Sequence, residues 1–275
     1  MEIRYDTERG KRMKQYIVDA FTSVPFAGNP AAVCVMDNWP SETAMKKLAM
    51  ENSLSETAYL VREGKGYRLR WYTPKDEVEL CGHATLASSF VILNYIEPES
   101  SSVTFHTVSG DLHVVREGSR YVMDLPRYEL KEIPVTDEME DAFGVRPVKA
   151  ILGLDLICVF DDEEQVRTMN PNQKLLAGLE GRLQNATALG KETDCVSRSF
   201  CPELAIPEDP VCGSAHCQIA DCWSKVLGKQ IIEAYQASER GGYLHCEIKE
   251  NNRIAISGEA VLVAVSEIVA SLQEE

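Results

Sequence analysis

The sequence predicts an α+β protein of two pseudo-symmetric lobes, each a mostly antiparallel sheet or barrel wrapped around a central helix. Three observations carry this. Short apolar runs bounded by turn residues recur along most of the chain, as strands do. The stretch Ala84–Tyr95 is small and apolar nearly all round, which suits a helix enclosed by a sheet rather than lying on one. Finally, one unit occurs twice. Arg70-Trp71-Tyr72-Thr73-Pro74 precedes Cys81-Gly82-His83-Ala84, and Arg198-Ser199-Phe200-Cys201-Pro202 precedes Cys212-Gly213-Ser214-Ala215. Arg and Pro are four apart in both copies, while Pro to Cys spans seven residues in the first and ten in the second. An ordered set of this kind reads as duplication.

The elements follow in order. Gln15–Phe21 and Ala31–Met36 are apolar runs on either side of the turn Pro25-Phe26-Ala27-Gly28-Asn29-Pro30. Ser41 is placed to N-cap a helix with Glu42 in its first turn and Met45, Leu48 and Ala49 on one face. Thr57–Arg62 and Gly66–Tyr72 pair across Glu63-Gly64-Lys65. Ser102–Val108, Asp111–Arg116 and Tyr121–Leu125 follow the enclosed helix. The polar stretch Pro126–Thr136, with two prolines and several charges, is the expected linker. It divides a lobe of residues 13–127 from one of 128–275, whose last strand or helix can return to the first lobe. The second lobe repeats the plan: strands near 149–160, a helix near 171–180, a strand at Asp194–Phe200, a helix from about Ser214, and short strands to about 266. Residues 1–12 carry no apolar period and are expected to form a tail or upstream extension.

Composition narrows the class of function. The 275 residues include 43 acidic and 28 basic side chains, a net charge of −15, which disfavours nucleic acid as a partner because no basic cluster is present to displace counterions. Hydrophobic residues make up 44%, enough for a sizeable core, yet no run approaches a membrane span and the charged N-terminus lacks a secretory apolar stretch. Nine scattered cysteines are an odd set unlike a small disulfide scaffold, so reduced thiols and a cytoplasmic location are expected. No phosphate-cradling glycine motif occurs, which argues against nucleotide dependence.

The duplicated Cys-Gly corners would bring two helix N-termini to one inter-lobe cleft. Each presents unpaired N–H groups and roughly half a positive charge, a site for an anion such as a substrate carboxylate. Gly82 and Gly213 would let the ligand approach the backbone closely; the plain alternative is that both only permit tight turns.

Five ordered motifs then point to a family. They are Tyr16-Ile17-Val18-Asp19-Ala20-Phe21, Phe26-Ala27-Gly28-Asn29-Pro30-Ala31-Ala32-Val33, Leu54-Ser55-Glu56-Thr57-Ala58-Tyr59, Cys81-Gly82-His83-Ala84-Thr85-Leu86-Ala87 and Glu208-Asp209-Pro210-Val211-Cys212-Gly213-Ser214-Ala215-His216. From about Met13 onward the chain resembles the phenazine-biosynthesis isomerase-like (PhzF-like) family. The resemblance implies the diaminopimelate-epimerase-like fold, a homodimer, and a proton-shifting isomerase acting on a small carboxylate without cofactor or metal. It implies Glu56 as the catalytic proton carrier, with His83 and Asp209 assisting, and Ser214 binding the substrate carboxylate. Asn29 is a further binding candidate, or simply a turn residue. Nothing local competes for Glu56, since no Lys or Arg lies within five residues of it. His83 could otherwise be a packed core residue, and Asp209 a helix N-cap. A helix N-terminus would favour neutral imidazole at His83.

One departure keeps a second reading open. Cys212 stands where most of the family has Thr, so Cys81 and Cys212 place a thiol at each helix start, where a helix dipole favours thiolate. Such a pair resembles the two-cysteine racemases of the same fold and makes an amino-acid racemase or epimerase the alternative. A more remote alternative is a non-catalytic small-ligand or metal-binding protein. Cys195, Cys201, Cys212, Cys217 and Cys222 with His216 lack zinc-site spacing, and no metal is expected. Arg240-Gly241-Gly242 reads as a turn before the strand Tyr243–Ile248, and His106, His113 and His245 as structural or exposed residues.

Overall fold

A computed structural model describes residues 13–202 and 206–270. The expected N-terminal extension, residues 1–12, lies outside them. The first strands and helix are β1 (Met13–Ala20), β2 (Asn29–Met36), α1 (Glu42–Asn52), β3 (Glu56–Glu63), β4 (Gly66–Tyr72) and β5 (Glu77–Val78). Then come α2 (Gly82–Val91), β6 (Ser102–Thr107), β7 (Gly110–Glu117) and β8 (Arg120–Pro126). The second half holds β9 (Lys131–Ile133), α3 (Asp137–Phe143), β10 (Lys149–Leu152), β11 (Leu156–Val159), α4 (Glu163–Thr168) and α5 (Gln173–Leu176). It continues through β12 (Gln184–Leu189), β13 (Cys195–Cys201), β14 (Ile206–Asp209) and α6 (Gly213–Leu227). The chain closes with β15 (Ile231–Gln236), β16 (Gly242–Ile248), β17 (Arg253–Gly258) and β18 (Ala260–Ile268).

The duplication is visible in the pairing. In the first lobe β18–β1–β2 are antiparallel, β2–β3 parallel, β3–β4–β5 antiparallel, β4–β6 parallel and β6–β7–β8 antiparallel. In the second, β9–β10–β11, β11–β12, β12–β13–β14, β13–β15 and β15–β16–β17 repeat those relations in the same order. The lobes join where β8 pairs antiparallel with β17, from Tyr121 opposite Gly258 to Pro126 opposite Arg253. The repeated Arg has one job in both copies. Arg70 holds Glu77 with Nε and Nη2 at 2.7 Å, and Arg198 holds Glu208 at 2.8 and 2.7 Å. Each is a two-point fork tying the strand to the short strand that leads into the central helix.

The central helices are buried for a readable reason. In α2 the polar side chains Thr85, Ser88 and Ser89 bond back to the carbonyls of Cys81, Ala84 and Thr85 at 2.6, 2.7 and 2.8 Å. Their hydroxyls are thereby satisfied inside the helix, and its whole surface can pack in the core. The helix starts at Gly82, two residues before the apolar stretch, and runs into a π-helical turn at Ile92–Ile96. In α6 His216 is fully buried, with Nδ1 2.7 Å from the Cys212 carbonyl and Nε2 3.0 Å from Ser197 Oγ. It is a packed structural histidine.

Several local expectations are corrected. The expected linker 126–136 contains β9, which pairs with β10 and so belongs to the second sheet. The helix expected near 171–180 is only Gln173–Leu176; it is N-capped by Asn172 and stops before Gly181, whose φ of +91° leaves the helical region. Two short helices were not anticipated, although their N-caps are in the sequence. Thr136 accepts from the Met139 N–H and Asp162 from the Glu164 N–H. All nine cysteines are free and buried. No helix among the described residues is long and apolar enough to cross a membrane.

A polar clamp ties the β1–β2 turn to the second half of the chain. Arg240 pairs with buried Asp19 at 2.7 Å and also donates to the carbonyls of Gly28 and Ala27 at 2.8 and 2.9 Å. Gly28 is required there: its φ is +65°, and a Cβ would lie 2.2 Å from the Ala20 carbonyl oxygen. Arg240→Ala leaves Asp19 buried without its cation and should lower stability by about 3 kcal/mol, read from urea unfolding. His216 offers a pH test. Burial lowers its pKa from the ordinary 6.5 to about 4. The unfolded chain therefore takes up a proton in that window that the folded protein refuses, and stability should fall by about 3 kcal/mol as the pH drops through it. Imidazole NMR should show this ring neutral in the folded protein down to about pH 4.

Candidate active site

The two Cys-Gly corners face one another. A Cβ built on Gly82 would lie 3.7 Å from the Gly213 Cα and 3.9 Å from the Ser214 N, and one on Gly213 would lie 3.9 Å from the Gly82 Cα. Both N-cap residues, Cys81 and Cys212, are extended and make no side-chain cap bond. The backbone N–H groups of two helix starts therefore meet at one place. Phe21 packs against this junction, its ring 3.4 Å from the built Gly213 Cβ. It is fully buried with a φ of +64°, an unusual backbone state for a bulky residue.

Glu56 opens β3 and is buried there. Its Oε2 lies 3.0 Å from the Nε2 of His83, in the first turn of α2. Neither atom makes a well-directed hydrogen bond among the described residues. Both keep donor or acceptor capacity for a third group, in a setting where structural polar atoms are normally paired. Asn29 is buried at the start of β2 and connects the lobes. Its Nδ2 donates to Asp209 Oδ1 at 2.6 Å and to the Val211 carbonyl at 2.9 Å, and lies 3.1 Å from His83 Nδ1. Ser55 Oγ donates to its Oδ1 at 3.4 Å. Asn29 therefore does more than open β2: its amide touches His83, Asp209 and Val211 at once. Asp209 does not cap α6; its carboxylate is held by Asn29.

Electrostatics correct two expectations from helix ends. Burial on its own would lower the pKa of His83, but Cys81, where it ionises, and the Glu56 carboxylate outweigh it and raise the imidazole well above its ordinary value. With Cys81 kept as a thiol, Glu56 3.0 Å away is the charge that acts on the ring near neutrality. A protonated ring, not a neutral one, is favoured there. The thiols shift opposite to the dipole argument as well. Burial first, then Glu56, pushes Cys81 up to about 11. Burial and Asp209 push Cys212 well above the usual thiol range, against Arg182 and Ser214. Asp209 is raised by burial, with His83 pulling it back and Glu56 adding to the rise.

Glu56, Cys81 and His83 present ligand atoms all within 4.8 Å of one another. Among the described residues this is the one such group, and the Cys195–Cys222 set with His216 does not form another. Ser214, half-buried in the first turn of α6, accepts from Arg182 Nη2 at 3.0 Å and lies 3.4 Å from the Cys212 thiol. Arg182 in turn grips fully buried Asp155 with Nε and Nη2 at 3.0 and 3.2 Å. The sequence reading missed Arg182 because it stands in an ordinary polar turn, and only the fold brings it to the α6 start.

Comparisons with known proteins give the family and the fold. The family model described as phenazine biosynthesis-like protein (PhzC-PhzF) matches residues 18–266. An uncharacterized isomerase of Pseudomonas aeruginosa is 44% identical over 252 residues, covering 91% of this chain and 96% of its own. The crystal structure of a PhzF-family phenazine biosynthesis protein from Enterococcus faecalis superposes with a TM-score of 0.91 at 46% identity, covering 94% of this chain and 99% of that one. A probable proline racemase from Agrobacterium radiobacter, 10% identical over 93% of this chain and 92% of its own with a TM-score of 0.61, shares the fold alone. The fold is that of the diaminopimelate-epimerase-like proteins, and the chain belongs to the phenazine biosynthesis-like PhzC-PhzF family.

Proposed function

We propose that this protein is a cofactor-independent isomerase that moves a proton on a small carboxylate substrate by general acid/base catalysis between its lobes. The family and its named relatives support an isomerase-type function. The proton-shift reading rests on one observation: buried Glu56 Oε2 and His83 Nε2, 3.0 Å apart and without well-directed bonds among the described residues, beside two converging helix starts. The N–H groups near Gly82, Gly213 and Ser214, with the Ser214 hydroxyl, hold the carboxylate. Glu56 takes a proton from an acidic C–H, the electron pair moves into the adjoining unsaturated system, and Glu56 returns the proton to another carbon on the same face. Protons and electrons balance within the substrate, so the step calls for no oxidant or cofactor. His83 donates a hydrogen bond to the charge that develops, and Asp209 assists proton movement through the Asn29 cluster. Assembly as a homodimer in the cytoplasm belongs to the same proposal and is checked by sedimentation and cell fractionation.

The two-cysteine racemase is disfavoured because both thiols are buried and shifted away from thiolate. Untargeted metabolite binding to the purified protein identifies a ligand, and solvent deuterium incorporation into it then reads the chemistry. Glu56→Gln should slow exchange by about 100-fold or more, while Cys81→Ser and Cys212→Ser each stay within about tenfold of the native rate. Loss in both Cys variants with Glu56→Gln active would establish the racemase instead. His83 is raised, so imidazolium persists through neutral pH and is lost only as the pH climbs well above the ordinary histidine range. The exchange rate should hold through neutrality and fall on the alkaline side, and His83→Asn should remove that limb.

A further inference from the structure

The repeated pairing pattern lets the lobes be compared residue by residue, and one row differs in chemistry. Ala58, Trp71 and Val78 lie side by side across β3, β4 and β5. Their counterparts across β12, β13 and β14 are Asn185, Ser199 and Asp209. Directly opposed residues share a face of the sheet. That face is the inner one, since Ser197, two residues before Ser199 on β13, bonds His216 of the enclosed helix α6. Asp209 extends from the same row to Asn29 in the other lobe.

The first-lobe row is filled with apolar volume. Trp71 is 1% exposed, and its indole N–H, the row's one polar side-chain group, has no hydrogen-bond partner among the described residues. The second-lobe row has a serine where the tryptophan stands and an asparagine where the alanine stands. Asn185 and Ser199 are both fully buried. The Asn185 amide nitrogen donates to the Leu156 carbonyl at 3.2 Å. Asn185 Oδ1 and Ser199 Oγ have no hydrogen-bond partner among the described residues. Protein interiors rarely leave such groups unpaired, and here two neighbours do so next to a residue of the candidate active site.

We infer that Asn185 and Ser199 form a recognition subsite beside Asp209 for a hydrogen-bond-donating group, a hydroxyl or amine, carried by the small carboxylate substrate. An amide oxygen can only accept, so it selects a donor; the serine hydroxyl can accept from the same group or donate to its lone pair. The exchange of Trp for Ser leaves the row less bulky than its counterpart, and the asymmetry fixes which way round a ligand sits in a nearly symmetric cleft. A site that hydrogen-bonds a substrate group discriminates against the analogue lacking it, because its own buried atoms are then left unpaired. This inference rests on the proposed carboxylate binding at the helix starts, but not on proton transfer.

The test is calorimetric titration of the full chain with butyrate, 3-hydroxybutyrate and 3-aminobutyrate. The native protein should bind at least one donor-bearing acid about tenfold more tightly than butyrate. Asn185→Leu and Ser199→Ala should each reduce that preference to about twofold or less while butyrate binding stays unchanged. Ser199→Ala deletes a single oxygen and keeps the test valid if Asn185→Leu does not fold, which urea unfolding of each variant reports. Equal binding of the three acids, or a preference that survives both substitutions, overturns the subsite. Glu56→Gln should keep the preference; if it does while the native protein shows no deuterium exchange, only the proton-transfer reading fails.

Discussion

The structure turns on the meeting of two helix N-termini. Each carries roughly half a positive charge, and bringing them together is unfavourable unless negative charge is close by. The fold supplies it with Glu56 and Asp209 at the junction and Asp155 next to the α6 start, the last held by Arg182. The two helix starts also bring backbone close to backbone at Gly82 and Gly213, where a Cβ on either would make only ordinary van der Waals contact with the other's Cα. The convergence therefore accounts for the acids gathered around the two helix starts.

Duplication explains how such a junction is built, and departures from it gather beside the two helix starts. The arginine forks to Glu77 and Glu208 are kept in both lobes, because each fixes the strand that leads into a central helix. Glu56, His83 and Asp209 break the symmetry and gather in one place. Glu56 and His83 come from the first lobe and Asp209 from the second, so the cluster exists only when the lobes are docked. Asn29 and the Arg240 clamp hold that docking at the point where it matters for the site.

Much of this was legible in the sequence because it depends on local pattern. The repeated Arg-to-Pro and Cys-Gly units announced the duplication, and the all-round apolar stretch after Gly82 announced an enclosed helix. What was not legible depends on distant partners. Asn29 reads as a turn residue until its amide is found on Asp209, 180 positions away. The dipole argument for Cys81, Cys212 and His83 failed because it weighed only the helix end. Burial dominates for the thiols, while neighbouring Cys81 and Glu56 dominate for the imidazole. The strand at Lys131–Ile133 hid in a polar stretch because it is short and exposed, and only its partner β10 defines it.

The last strand crosses back over the lobe boundary. β18 lies along β1 from Ala20 opposite Ala260 to Met13 opposite Ile268, so the sheet of the first lobe is completed by a strand that follows the second lobe. A ribosome that has finished residues 13–126 has therefore made only eight of that lobe's nine described strands, and β1 keeps a bare edge until Ala260–Ile268 has followed. Severing the polypeptide between the halves would release not two self-sufficient pieces but one missing its closing strand and one carrying it unused.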